Sequence, residues 1–260
     1  MDAVLVIAGS DSSGGAGLAR DVATLAAHGL GACIAVTMVT AQTNAGVQAV
    51  EPMPPALVHA QIVTALSGGR VRAVKIGALG TAGIVEAVAA ALSVIDMPVV
   101  LDPVLASTSG RALLDDDGKA TMLRHLLPLT TLVTPNLPEA AMLTGTTPAT
   151  SENEIARRAA RLQALGARHV LVKGGHSTGS DAVDLLFPPA GLPKRFPTPR
   201  KAHGMRGTGC VLSSAIAAHL ARGHALPAAC RLAKAYVSRL LDETAGGYAL
   251  ETASYRKTSN

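Results

Sequence analysis

Aromatic residues are nearly missing from this chain: three Tyr, two Phe and no Trp make up 2% of its 260 residues. A core of that composition has to close on Ala, Val and Leu, and few rings remain to stack on nucleic-acid bases. Long basic runs are also missing, with nothing beyond Arg157-Arg158 or Arg256-Lys257. The net charge of +5 and the pI of about 9.4 therefore make no nucleic-acid footprint and suit anionic small molecules better. Cysteine is scarce: Cys33, Cys210 and Cys230 form no CxxC pair. An odd count of this kind points to reduced thiols in a cytosolic setting. Long apolar spans are lacking too. The run at 3–8 is too short for a signal h-region or a membrane span, and the alanine-rich stretches are broken by Glu86 or His219. The expectation is a cytoplasmic chain with no membrane and no nucleic-acid partner.

What is present is a hydrophobic content of 48% with 16% charged residues, enough for a large core and too apolar for disorder. Short continuous apolar runs at 3–8, 32–39, 71–76, 98–102, 130–134 and 168–173 read as buried strands. Helical patterns fall between them at 17–28, 55–67, 81–94, 115–127, 138–144 and 151–165. Residues 182–187 and 194–198 read as a hairpin-like pair, and helices at 208–222 and 226–242 close the chain. Alternation of this kind predicts an α/β fold with a mostly parallel sheet covered on both faces. No repeat or linker interrupts it, so one domain is expected over 1–260.

Polar and glycine residues gather just after the strands, at 9–17, Gln42, Gly77, Asp102, Asn136 and 173–176. In open α/β sheets ligands bind outside the carboxyl ends of the strands, so one site built from several loops is expected. The loop at 9–17 is neither G-x-G-x-x-G nor a P-loop, which leaves it a backbone wall for a small ligand. Asp21, on the helix after it, is either a hydrogen-bond acceptor or a solvated carboxylate. Gln42 offers a donor and an acceptor to a heterocycle edge, or is ordinary loop polarity. Asp102, Asn136 and Glu139 are oxygen donors suited to Mg²⁺ held through water beside phosphates; Asn136 and Glu139 also read as a helix cap. Lys173, before two glycines, could hold a phosphate as a point charge, or be a solvated turn lysine.

Gly207-Thr208-Gly209-Cys210 enters an apolar helical run. The first N–H groups of a helix have no partner inside it, and its positive dipole end faces outward, so this stretch is a candidate anion site. A thiol there is expected to have a lowered pKa. The bland alternative is a glycine-containing helix entry with a buried cysteine.

Taken together, GSDSSGGAG, TAQTNAGVQ, KIGALG, DPV, TPNLPEA, KGGH and RGTGC occur in order over nearly the whole chain. In that order they resemble the hydroxymethylpyrimidine/phosphomethylpyrimidine kinases of thiamin biosynthesis, members of the ribokinase-like superfamily with pyridoxal kinases as close neighbours. The resemblance implies a three-layer α/β/α sandwich with a small or absent lid. It implies ATP as co-substrate, Mg²⁺ as cofactor and a homodimer. The acceptor would be 4-amino-5-hydroxymethyl-2-methylpyrimidine and then its monophosphate. Gly9, Asp21, Gln42, Ala78 and Val104 would form the pyrimidine pocket. Asn136, Lys173 and Thr208 would meet ATP, and Glu139, Asn136 and Asp102 would organise the metal, Asp102 through water. Gly207, Thr208, Gly209 and Cys210 would be the catalytic anion hole, with Cys210 as a thiolate base. The chain departs from the family pattern at Ala78, where methionine is usual, and at Thr108, where many members carry lysine. It departs also near Arg111, where an acidic or small residue is usual, at Val211, and at Met205-Arg206, which replaces Thr-His. Arg206 is thus a candidate phosphate ligand in place of the lid lysine. A pyridoxal kinase, or a pyrimidine-binding protein without activity, are the alternatives.

Overall fold

The computed structural model describes residues 1–245 apart from 44, 108, 176–179 and 203. His176 and Thr108, named above, therefore lie outside the described residues.

A nine-stranded sheet organises the chain, in the order β3-β2-β1-β4-β5-β6-β7-β8-β9. Its strands are β1 (Ala3–Asp11), β2 (Gly31–Gln42), β3 (Val47–Pro52), β4 (Val71–Ile76), β5 (Val99–Leu101), β6 (Leu132–Val133), β7 (Val170–Val172), β8 (Asp181–Phe187) and β9 (Lys194–Pro199). From β2 through β1, β4, β5 and β6 to β7 every pairing is parallel. The pairings of β3 on β2, β8 on β7 and β9 on β8 are antiparallel. The mostly parallel sheet is as expected. The central strands are buried on both faces, which is why they read as unbroken apolar runs.

Alternate residues along each strand feed two cores. Leu5, Ile7, Val74, Ile76, Leu101 and Val133 join one. It is covered by α2 (Pro55–Ser67), α3 (Ala82–Leu92), α4 (Asp116–Thr121), α5 (Leu137–Thr144) and α6 (Glu152–Ala164). Val4, Val6, Ala8, Ala73, Val100 and Leu132 join the other. That face is covered by α1 (Gly17–Ala27), α7 (Thr208–Ala221) and α8 (Leu226–Ala245). The result is the three-layer α/β/α sandwich. Helix α7 lies against β1, β4 and β5 and between α1 and α8. Every residue from Val211 to Ala218 is buried, so the helix is apolar all round, as a central helix must be.

Three expectations change. β1 runs on through Gly9 to Asp11 across an irregularity in its pairing with β2. A side chain at Gly9 would come within 2.7 Å of Met38 Cγ, so the glycine admits a neighbour rather than ending the strand. Gln42, expected just after the strand at 32–39, is instead the last residue of β2, and β3 follows it as a hairpin partner. β3 is half-exposed and ends in proline, features tolerated on an edge and invisible to a search for apolar runs. The helix expected at 115–127 changes form at Met122, becomes a π turn to Leu126, and closes in a 3₁₀ turn at Leu127–Leu129. Pro128 has no N–H to continue the ladder.

Candidate active site

Helix α7 starts at the carboxyl ends of the central strands. Its N-cap, Gly207, has φ 76°, and a Cβ there would lie 2.6 Å from the carbonyl of Gly15. Only glycine satisfies both demands. Val211 makes the first helical bond, to the Gly207 carbonyl at 2.9 Å, which leaves the amides of Thr208, Gly209 and Cys210 without an acceptor inside the helix. Among the described residues no side chain caps them. A Cβ on Gly209 would sit 3.3 Å from Lys173 Nζ and 3.4 Å from Asp102 Oδ2. The helix start therefore abuts the two charged residues predicted from the strand ends.

Lys173 follows β7 and is the centre of this cluster. Its Nζ donates to Asp102 Oδ1 at 2.7 Å and lies 3.5 Å from Glu139 Oε2. Burial works against the ammonium, but Asp102 and Glu139 outweigh it and raise its pKa above the ordinary lysine value. Burial pushes the Glu139 carboxyl up, against the pull of Lys173. Asn136 and Glu139 form a reciprocal capping box at the start of α5, with both bonds at 2.7 Å. That cap fixes where the Glu139 carboxylate stands. The donors that converge on Lys173 are oxygens only. Among the described residues no group of three or more His, Cys, Asp or Glu side chains is placed to enclose a cation. Such a set suits a Mg²⁺ ion that keeps waters and rests on nucleotide phosphates, not a closed protein cage.

Gly174 continues the turn after Lys173. A Cβ on it would overlap the Val183 carbonyl, so the chain here lies directly on β8. Its amide donates to Asp184 Oδ1 at 2.8 Å, and Lys234 from α8 pairs with the same oxygen at 2.8 Å. This support, which the sequence did not suggest, holds the turn carrying Lys173.

Asp21 has partners that the sequence did not show. It is not solvated: the carboxylate is 0% exposed, and it accepts from Lys75 Nζ and from Ser214 Oγ, both at 2.8 Å. Lys75 was missed because it sits within an apolar strand. Burial opposes its charge, and Asp21 overcomes this and raises its pKa. Cys210 is also corrected. Burial pushes its thiol up to about 11, past what Lys75 and a hydrogen bond from the Gly17 amide recover. The helix-start argument named the favourable field and left out desolvation of the thiolate. At neutral pH Cys210 is a thiol.

Gln42 ends β2 and lines a cleft of about 100 Å³ with Thr43, Ala45, Gly46, Ser107 and Arg206. Gly9, Ala78 and Val104 do not line it. Gly9 is buried beneath Met38. The half-buried Ala78 accepts from the Thr37 hydroxyl at 2.7 Å through its carbonyl, and the half-buried Val104 follows Asp102 after β5. Asp11, which the sequence reading passed over inside its glycine-rich loop, joins two residues of that cleft, Gln42 and Arg206. It accepts from the Ser13 amide at 2.8 Å and hydroxyl at 2.7 Å, from the Gln42 side chain, and from Arg206 at 3.2 Å. Burial opposes its charge, and these donors hold the carboxyl below the usual range.

A family model described as phosphomethylpyrimidine kinase matches residues 11–251. The hydroxymethylpyrimidine/phosphomethylpyrimidine kinase of Rhizobium meliloti is 45% identical over 90% of this chain and 88% of its own length. The crystal structure of the phosphomethylpyrimidine kinase of Clostridium difficile 630 superposes with a TM-score of 0.81 at 35% identity, over 93% of this chain and all of that one. An ADP complex of Bacillus subtilis pyridoxal kinase reaches 0.84 at 31% identity, over 92% and 91% of the two chains. Sequence similarity and superposition agree over nine-tenths of the length, and the chain belongs to the phosphomethylpyrimidine kinase family.

Proposed function

We propose that the protein transfers the γ-phosphoryl group of ATP to the hydroxymethyl oxygen of 4-amino-5-hydroxymethyl-2-methylpyrimidine, and then transfers a second phosphoryl group to the monophosphate, in thiamin biosynthesis. The observation that carries this reading is the start of α7 set against Lys173 and Asp102, with free helix amides beside a protonated lysine. Phosphoryl transfer depends mainly on positioning and on neutralising charge at the moving group.

In the first step the hydroxymethyl oxygen forms a bond to the γ-phosphorus. The bond from that phosphorus to the β–γ bridging oxygen breaks, and ADP leaves with the electron pair. The amides of Thr208, Gly209 and Cys210 face the oxygens of the moving phosphoryl. Lys173 adds a fixed positive charge at the ATP phosphates, and Asn136 organises the same end. Glu139, and Asp102 through water, would hold Mg²⁺, which supplies charge neutralisation across the phosphates when bound. A loose transition state releases the acceptor proton late, to an oxygen of the transferred phosphoryl group or to water, which is compatible with a Cys210 that is a thiol. Gly9, Asp21, Gln42, Ala78 and Val104 are the proposed pyrimidine contacts. The same reading carries a homodimer and a cytoplasmic location; among the described residues no helix is long and apolar enough to cross a membrane.

Side-by-side ADP release with hydroxymethylpyrimidine, its monophosphate and pyridoxal tests the reading. Turnover on both pyrimidines above pyridoxal is expected, and a preference for pyridoxal would replace it. That second reading is favoured by the likeness to pyridoxal kinases and by the small Ala78.

A further inference from the structure

The hairpin of β2 and β3 is gripped from two sides by arginines that belong to other segments. Arg206, the residue before the α7 N-cap, donates to the Thr43 carbonyl at 3.3 Å. Arg111, from the loop after β5, donates to the carbonyls of Val47 at 3.2 Å and Gln48 at 2.9 Å. Between these holds lies the cleft that Gln42, Ser107 and Arg206 help to line. Arg206 also reaches the loop after β1, where it pairs with Asp11 at 3.2 Å and donates to the Ser13 hydroxyl at 3.0 Å. Asp11 in turn receives the Gln42 side chain. One guanidinium thus connects the end of β1, the end of β2 and the start of α7.

The surroundings are fitted to it. A Cβ on Gly15 would come within 2.9 Å of an Arg206 terminal nitrogen, so the bare backbone makes room for the side chain. The Arg206 side chain is 22% exposed and that of Asp11 4%, a pair withdrawn from full solvent screening. A planar fork holds several acceptors in fixed directions at once, which an ammonium cannot do.

We propose that Arg206, assisted by Arg111, is a positioning residue for the acceptor. It fixes the hairpin wall of the acceptor pocket at one spacing from the anion hole. Its covalent neighbour Gly207 caps α7, and its side chain holds the wall, so wall and anion hole cannot move apart independently. This rests on the kinase reading given above, because it needs an acceptor held at Gln42, where the hairpin borders that cleft.

The test compares wild type with Arg206→Gln, Arg206→Lys and Arg111→Gln. Each is measured for KM of hydroxymethylpyrimidine and of ATP, kcat, melting temperature, and amide exchange at residues 45–50 without ligand. Arg206→Gln is expected to raise the acceptor KM roughly tenfold while the ATP KM stays within about twofold, as loss of hydrogen bonds to a charged group implies. Arg206→Lys should recover part of that loss, and Arg111→Gln should show a smaller rise. Exchange at the hairpin should quicken in both glutamine variants. An unchanged acceptor KM in Arg206→Gln overturns the proposal. So does a rise in both KM values together with a lowered melting temperature, which is general loosening. If wild type does not turn over the pyrimidine at all, the kinase reading fails on its own. The exchange measurement still decides the coupling then: unchanged hairpin exchange in both glutamine variants overturns it.

Discussion

A cysteine at a helix start is pulled two ways, and at Cys210 burial prevails. With its thiol pushed up to about 11, it holds no preformed base at neutral pH. General-base catalysis contributes about 10²–10⁴-fold, so Cys210→Ala should cost less than this, roughly tenfold or below in kcat. The kcat of the wild type should stay level through pH 7 to 9. Single-turnover rates with and without the substitution check both statements; a hundredfold loss confined to the first phosphorylation would restore the base. Lys173 shows the opposite balance, since two carboxylates within 3.5 Å keep it charged despite burial.

At the scale of elements, the N-cap of α7 decides whether an anion hole exists. Gly207→Ala would bring a Cβ to 2.6 Å from the Gly15 carbonyl in a left-handed conformation. The helix start must shift, and loss of aligned donors costs on the order of 10²–10³ in kcat. Steady-state kinetics beside a thermal melt measure this, with kcat expected to fall far more than stability does. The opposite end of the same helix carries an acid-sensitive cluster. His219 packs edge-on against His28 and His224, and its Nδ1 is buried without a hydrogen-bond partner among the described residues. Burial lowers its pKa from about 6.5 to about 4, with His28, His224 and Arg222 adding repulsion. The unfolded chain binds this proton more readily than the folded one. Stability from this group is full above about pH 6.5 and falls as the pH drops toward about 4. Melting temperatures across that range should decline less steeply in His219→Leu; equal slopes would remove His219 as the cause.

An ion pair with both partners fully buried joins a sheet strand to helices on one face of the molecule. Lys75 on β4 and Asp21 on α1 are both 0% exposed, and Ser214 of α7 completes the contact. Removing one partner strands a charge in the core, which costs about 3–5 kcal/mol. Asp21→Leu and Lys75→Met should each lower the melting temperature by roughly 6–20 °C, at about 2–4 °C for each kcal/mol in a chain of this size. The double substitution should recover much of the loss, because it leaves no unpaired charge. Calorimetry of the three variants checks this, and additive losses in the double variant would count against the pairing.

The two hydrophobic periods were enough to read the sheet, its parallel core and the helices around it, since each buried strand has to be apolar on both faces. They missed β3 because an edge strand needs no such run. They could not see the π and 3₁₀ turns after α4, because a change of helical ladder leaves the apolar spacing nearly intact. For the site, chain order alone placed Lys173, Asp102, Asn136 and Glu139 at or just after strand ends and residues 207–210 at a helix start, and strand ends of a parallel sheet converge. Which partner each charge takes was decided only in three dimensions. Asp21 and Lys75 are 54 residues apart, and Asp11 and Arg206 are 195 apart. Desolvation, which kept Cys210 a thiol, depends on every neighbour at once. The opening of α7 was legible as a place where backbone amides are left over. That these amides lie against a buried lysine and its two carboxylates follows from packing.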